Sequence, residues 1–243
     1  MGSDTQRKVD LGSAAAERME RWLLSDELRD FIRLHREPET HPRRLGPYIT
    51  VSRESGAGGG ELARLIGQQL GWDVLDKSLL DCVAERYHMP RDLLEIVDEK
   101  KAHVIQELLH NFFVRRSVSN DQYVMNVEHV IYLAAIHGRV VIVGRGAHCV
   151  LPREHGLAVR FIAPRGWRVR QIMERRGIAQ REAEQVVDTT DSGRSELCKY
   201  YLGQDSSDPH NFDLVVNVEQ LGHELAARMV ADLARHRFQL PEA

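Results

Sequence analysis

Tyr48-Ile49-Thr50-Val51-Ser52-Arg53-Glu54-Ser55-Gly56-Ala57-Gly58-Gly59-Gly60-Glu61-Leu62 passes from an apolar run through a glycine-rich turn into a segment of helical periodicity. A strand that ends in such a turn at the mouth of a helix is where a phosphate-cradling loop sits. Glycines let successive N–H groups face one point, and the helix N-terminus adds partial positive charge. Leu62, Leu65, Ile66 and Leu70 fall on adjoining faces of the helix, and Gly71 stands where a C-terminal glycine is expected. Against the pattern G-x-x-x-x-G-K-[ST], Arg53 takes the first glycine position and Gly58 the second, while Gly59 replaces the lysine and Gly60 the hydroxyl. The loop thus lacks the ammonium and the magnesium-binding hydroxyl. It retains the backbone donors of Ser55, Gly56, Ala57, Gly58, Gly59 and Gly60, the Ser55 hydroxyl, and Arg53, whose guanidinium can turn onto phosphate. A glycine run can equally relieve crowding at a tight turn, and Arg53 can equally form a surface ion pair.

Outward from this loop, short apolar runs recur between helical stretches. Tyr48–Val51, Trp72–Leu75, Val140–Val143, Ala158–Ile162 and Leu214–Val218 read as strands. Their apolar continuity, with helices between them, predicts a five-stranded parallel sheet covered on both faces, a doubly wound α/β fold. Helices are expected over Lys77–Tyr87, Leu93–Val114, Met125–His137, Arg165–Arg176 and Leu221–His236. Residues 14–36 read as an amphipathic helical arm, and His41-Pro42-Arg43-Arg44-Leu45-Gly46-Pro47 breaks the periodicity. The division expected is an arm over residues 1–45 and a main domain over 46–243. The arm either packs back on its own domain or docks on a partner or a second copy of the chain.

Composition narrows the function classes. With 243 residues, 42% hydrophobic and 28% charged, the chain can bury a sizeable core, and a formal charge of -3 gives no global footprint for a nucleic-acid polymer or a membrane. No run approaches the roughly 20 apolar residues of a membrane helix, and no signal-peptide pattern opens the chain. Cys82, Cys149 and Cys198 are odd in number, widely spaced and outside any C-x-x-C pair, which argues against a disulfide framework and a structural zinc site and fits a reducing cytoplasm.

Two further constellations carry chemistry. In Val141-Ile142-Val143-Gly144-Arg145-Gly146-Ala147-His148 a strand delivers Arg145 at its C-terminal end, where open α/β sheets bind ligands. The glycines can also simply shape a turn, and His148 reads as a satisfied loop histidine rather than a base. Between the fourth and fifth strands lies a highly charged segment with Arg175, Arg176, Arg181, Asp188, Asp191, Arg194 and Lys199. The spacing of Asp191 and Arg194 places both on one helix face, suited to closing over phosphates, although a solvated helix with ordinary ion pairs has the same pattern. Trp167 and Met173 read as core.

The order Ile49-Thr50-Val51-Ser52-Arg53-Glu54 with the glycine loop, Trp72-Asp73-Val74-Leu75-Asp76-Lys77, Val143-Gly144-Arg145-Gly146-Ala147 and Asp191-x-x-Arg194 resembles the cytidylate kinase-like family of P-loop proteins. It looks closest to the branch whose loop reads G-S-G-G-R-E, with Gly60 in place of that branch's arginine, Ser192 where the lid often carries arginine, and Cys82 near a phosphate-binding arginine of true cytidylate kinases. The resemblance implies a P-loop NTPase fold of three α/β/α layers with a helical lid at about residues 177–205. It also implies ATP- and Mg2+-dependent phosphorylation of CMP or dCMP, a small-molecule nucleotide as partner. Ser55 to Gly60 would bind the donor phosphates, Asp76 and Arg145 the acceptor, and Arg53, Asp191 and Arg194 would act at the transferring phosphoryl group, with no protein-bound metal site. The alternative is a nucleotide-binding regulatory protein of the same fold with weak or no kinase activity.

Overall fold

The computed structural model describes residues 45–86 and 122–241, together with Glu17, Arg21 and Trp22. In chain order the elements are β1 (Tyr48–Arg53), α1 (Gly59–Leu70), β2 (Asp73–Leu75), α2 (Lys77–Arg86), α3 (Gln122–His137), β3 (Val140–Val143), α4 (Ala147–Val150), β4 (Gly156–Ile162), α5 (Arg165–Arg176), α6 (Gln180–Leu202), β5 (Leu214–Asn217) and α7 (Val218–Phe238). The chain divides into two compact units, Met1–Gly46 with Asp76–Gly138, and Pro47–Leu75 with Arg139–Ala243.

The second unit contains the whole sheet. Its strands lie in the order β2-β3-β1-β4-β5, and every pair is parallel. The central strands are apolar along their length because successive residues, which point to opposite faces, are buried. Ile49, Val51, Val141, Val143, Val159 and Phe161 are all buried. Residue Val51 pairs with Val143 on one side and Val159 on the other. The turns after β1, β3 and β4 therefore leave one edge of the sheet. The order reverses at β1, so its turn lies at the switch point where open α/β sheets bind ligands. Behind it, α7 packs on α1 through the small residues Ala226 and Ala227, which allow close approach. Gly222 (φ 69°, ψ 167°) interrupts α7 one turn from its start.

In the first unit α2 packs on α3, and Tyr123 Oη donates to Asp81 Oδ1 at 2.8 Å. The α3 sequence is apolar almost all round, the pattern of a helix with no solvent face, and Val130, Ile131, Leu133, Ala134 and Ala135 are buried. Trp22 of the expected arm is buried and stacks on His137 with ring centroids 5.1 Å apart.

The expected α/β fold with five parallel strands is present, with shifted boundaries. β1 runs on to Arg53 because its last residues pair with Arg160 and Phe161 of β4. The lid segment contains a single helix, α6, of 23 residues. Short α4 had no periodicity to announce it. The helix expected over Leu93–Val114 and most of the arm lie outside the described residues. No helix among the described residues is long and apolar enough to cross a membrane.

Candidate functional site

The turn after β1 is shaped by two glycines in left-handed backbone, Gly56 (φ 89°) and Gly58 (φ 75°), a region other residues enter at a cost of about 1 kcal/mol. A Cβ on Gly56 would also stand 2.6 Å from the Arg168 carbonyl oxygen, and one on Gly58 would enter the His223 ring. Gly58 caps α1, and its carbonyl accepts from Leu62 N at 3.0 Å. Two of the expected phosphate donors are engaged within the protein. Ser55 N donates to Asp191 Oδ1 at 2.7 Å, and Ala57 N to the Glu54 carbonyl at 3.2 Å. The donors that remain characteristic of the loop are those of the first turn of α1, including Gly59 and Gly60, which no helix satisfies internally.

Arg53 lies along this turn. A Cβ on Gly59 would be 2.5 Å from Arg53 Cγ and 3.0 Å from its Cδ, while one on Gly144 would meet its guanidinium. The stem of Arg53 thus fills the space in which a side chain at the lysine position would start. Its charged end lies against the turn after β3. Around Gly60 a Cβ would meet nothing within 4 Å.

Arg168 ties the loop to its surroundings. It is buried on α5, and its guanidinium donates to the carbonyls of Ala163 (2.8 Å) and Ser55 (3.0 Å) and to Asp191 Oδ2 (2.6 Å), with Glu54 Oε2 at 3.2 Å. Glu54 Oε2 also accepts from Ala163 N at 3.0 Å. Removing one partner from such a buried network leaves an uncompensated charge, which costs on the order of 3–5 kcal/mol. Asp191 is accordingly a strut between lid helix α6 and the loop, with both carboxylate oxygens occupied.

Arg194, one turn beyond Asp191, donates to the Arg53 carbonyl at 2.8 Å and lies 3.9 Å from Asp191 Oδ1. Burial holds its guanidinium below the usual arginine range; Asp191 opposes that shift, and Arg160 and Arg168 add to it. Arg160 itself, on β4, donates to Ser52 Oγ at 3.1 Å and lies over the Phe212 ring. Three guanidiniums therefore converge where β1 meets its turn, and partly buried Arg194 is held there against the repulsion of the other two. An anion there would relieve it.

Arg53, Ser55 to Gly60, Asp191 and Arg194 thus come together in the second unit. Arg145 stands in the turn after β3 with φ 51°. Asp76 belongs to the first unit, where its Oδ1 accepts from Leu79 N at 2.9 Å and caps the start of α2. Asp188 pairs with exposed Arg165, which donates to both its oxygens at 3.0 and 2.8 Å; these hydrogen bonds hold the Asp188 carboxyl below the usual range. That pair is the ordinary surface kind.

Sequence reasoning missed Arg168, Arg160 and His223. The only signal for Arg168 was an arginine on the otherwise apolar face shared by Val169 and Ile172. His223 Nδ1 lies 3.1 Å from Glu61 Oε2, its ring meets Trp167 edge-on, and its buried Nε2 has no partner among the described residues. The widely spaced Cys149 and Cys198 also meet, with His148 beside them. Their contact lowers the Cys198 thiol and, with burial, raises that of Cys149, while burial and Arg160 lower His148 to about 4.

No curated protein matches the chain. Among solved structures it is similar to an uncharacterized protein from Eubacterium ventriosum ATCC 27560, at 20% identity and TM-score 0.60 over 78% of this chain and 98% of that one. A shikimate kinase from Bacteroides thetaiotaomicron aligns at 16% identity and TM-score 0.44, covering 76% of this chain and 97% of its own. A gluconokinase from Sinorhizobium meliloti 1021 aligns at 15% identity and TM-score 0.39, covering 82% of this chain and 97% of its own. Residues 48–220 match the cytidylate kinase-like family, and with the P-loop at the switch point of a five-stranded parallel sheet, the chain belongs to that family.

Proposed function

We propose that this protein is a nucleoside monophosphate kinase-type phosphotransferase that moves the terminal phosphoryl group of ATP to CMP or dCMP in the cytoplasm. The observation that carries this reading is the partly buried Arg194 guanidinium, held at the loop by the Arg53 carbonyl and crowded by Arg160 and Arg168. Cations positioned in this way stabilise an anion whose charge develops in a transition state, because the donors are fixed before the reaction begins.

The residues fit a polyphosphate, since Gly56 and Gly58 hold the backbone that turns the first amides of α1 outward. They do not supply the usual hydroxyl for Mg2+, because that position is Gly60. Magnesium would be held by the donor's phosphates and water, as this ion commonly is. Arg53 takes the charge role of the missing lysine, Arg194 neutralises the transferring group, and Arg145 orients the acceptor. Asp191 and Arg168 set the position of the lid helix. Transfer is in line and needs alignment and charge neutralisation rather than a covalent intermediate.

A specific contact favours a second reading, a nucleotide-binding regulator. The Asp191 carboxylate occupies the Ser55 amide, so one anion already sits on a donor expected for phosphate. Incubating the protein with ATP, Mg2+ and each nucleoside monophosphate, with diphosphate formation and ATP binding followed together, separates the two. Diphosphate from CMP supports the kinase, with Arg194→Ala lowering turnover about 10²–10³-fold. ATP binding without any product supports the regulator and overturns the kinase.

A further inference from the structure

Cys149 Sγ, Cys198 Sγ and a ring nitrogen of His148 all lie within 4.8 Å of one another, and His148 Nε2 is 3.3 Å from Cys149 Sγ. Three points so spaced lie within about 2.8 Å of a common centre, against Zn–S and Zn–N bonds of about 2.3 and 2.0–2.1 Å, so small side-chain rotations suffice for ligation. We propose that His148, Cys149 and Cys198 form a binding site for a thiophilic transition-metal ion of the Zn2+ type, which clips the turn after β3 to the end of the lid helix.

The donor set selects the ion. Two sulfurs and an imidazole suit Zn2+ or Cu(I) and disfavour hard Mg2+ and Ca2+, so this site is chemically separate from any nucleotide-bound magnesium. Three protein ligands leave a fourth position of a tetrahedral ion for water. The scaffold is also in place. His148 and Cys149 are consecutive on α4, which Gly146 caps with φ 67°, and a Cβ on Gly146 would meet the Leu202 side chain of α6. Loop and lid helix are thus already in contact there. His148 packs against the Phe212 ring at 4.7 Å, and Cys198 is buried, so the ligands are held by packing from more than one element. Since α6 also carries Asp191 and Arg194, a metal clip would hold the lid end of the kinase site to the turn that carries Arg145.

The probe is Co2+ alone, titrated into reduced, metal-free full-length protein, followed by Zn2+. The expected result is one cobalt per chain, with thiolate-to-cobalt charge-transfer absorption and a tetrahedral visible spectrum, both abolished by Zn2+. The charge-transfer band should fall by about half in Cys149→Ser or Cys198→Ser and vanish in the double variant. It should persist in Cys82→Ser, and Zn2+ should raise the melting temperature of wild type but not of the double variant. Cobalt spectra unchanged in the Cys149 and Cys198 variants would overturn the site, as would binding with no charge-transfer band. Should a serine variant fail to fold, His148→Phe, which keeps a ring against Phe212, provides the same test through loss of one ligand and a shifted visible spectrum.

Discussion

The turns after β1 and β3 begin side by side, with Val51 beside Val143, and both enter left-handed backbone, at Gly56 and Gly58 in one and at Gly144, Arg145 and Gly146 in the other. Past those residues they diverge. The first feeds a helix of 12 residues, whose opening amides no intrahelical acceptor can take. The second closes on itself within a helix of four residues, where Ala147 N donates to Gly144 O, and Cys149 N and Val150 N donate to Gly146 O, at 2.7–3.1 Å. With several of its amides so engaged, the β3 turn acts chiefly through its side chains. The β1 turn therefore offers main chain, whereas the β3 turn offers Arg145, His148 and Cys149, and glycines shape both.

The largest expected effect tests whether Arg53 and a P-loop lysine compete for one space. Gly59→Lys alone places its stem on that of Arg53 and should lower turnover about 10³-fold, the scale of losing preorganised charge stabilisation. Combining it with Arg53→Gly restores the first glycine and the lysine of the motif, with Gly60 still in the hydroxyl position, and should recover at least about tenfold of that loss. A double variant no better than the single one would mean that Arg53 does not stand in for the lysine. Next comes Gly58→Ala, which adds left-handed strain of about 1–2 kcal/mol and drives the His223 ring away. ATP affinity should fall by about 10²-fold, with a lower melting temperature; unchanged affinity would show that the donors of the β1 turn do not bind the nucleotide.

The same comparison gives opposite signs at Arg145. Its φ of 51° is strained for a residue with a Cβ, so Arg145→Gly should release about 1 kcal/mol of left-handed strain. It should also raise KM for the acceptor about tenfold or more while leaving ATP affinity alone, the loss of one charge-assisted contact. A raised KM for ATP instead would place Arg145 on the donor side and erase the division of labour between the turns.

What the sequence made legible was local. The β1 turn could be read because Gly56, Gly58 and the periodicity of Leu62, Ile66 and Leu70 lie within one short stretch, and the five strands because each is an apolar run of its own. Asp191 and Arg194 could be paired because they stand three positions apart on one helix. Arg168, by contrast, is defined by partners at Glu54, Ser55, Ala163 and Asp191, none of which helical periodicity relates to it. The Cys149–Cys198 approach depends on where α6 ends against α4, a tertiary fact with no spacing signature. Asp76 shows the converse, since Asp followed by a helix is a cap pattern legible in the sequence, and its Oδ1 does accept from Leu79 N.

The smallest effect separates the glycines of the β1 turn from one another. Gly60 is exposed, lies in the first turn of α1, lacks the left-handed backbone of Gly56 and Gly58, and has open space where a Cβ would go. Gly60→Ala should therefore stabilise the protein by about 0.5 kcal/mol, through reduced freedom of the unfolded chain and better helix propensity. Its main-chain N–H is kept, so ATP affinity should be unchanged within about twofold, whereas a side chain with β-branching at the same place tests the space itself. If Gly60→Ala weakens ATP binding more than about tenfold, the phosphates pass through the volume of that methyl group. Glycine would then be required at position 60 by the ligand rather than by the fold, and the β1 turn would bind by close approach to its helix as much as by the amides at its start.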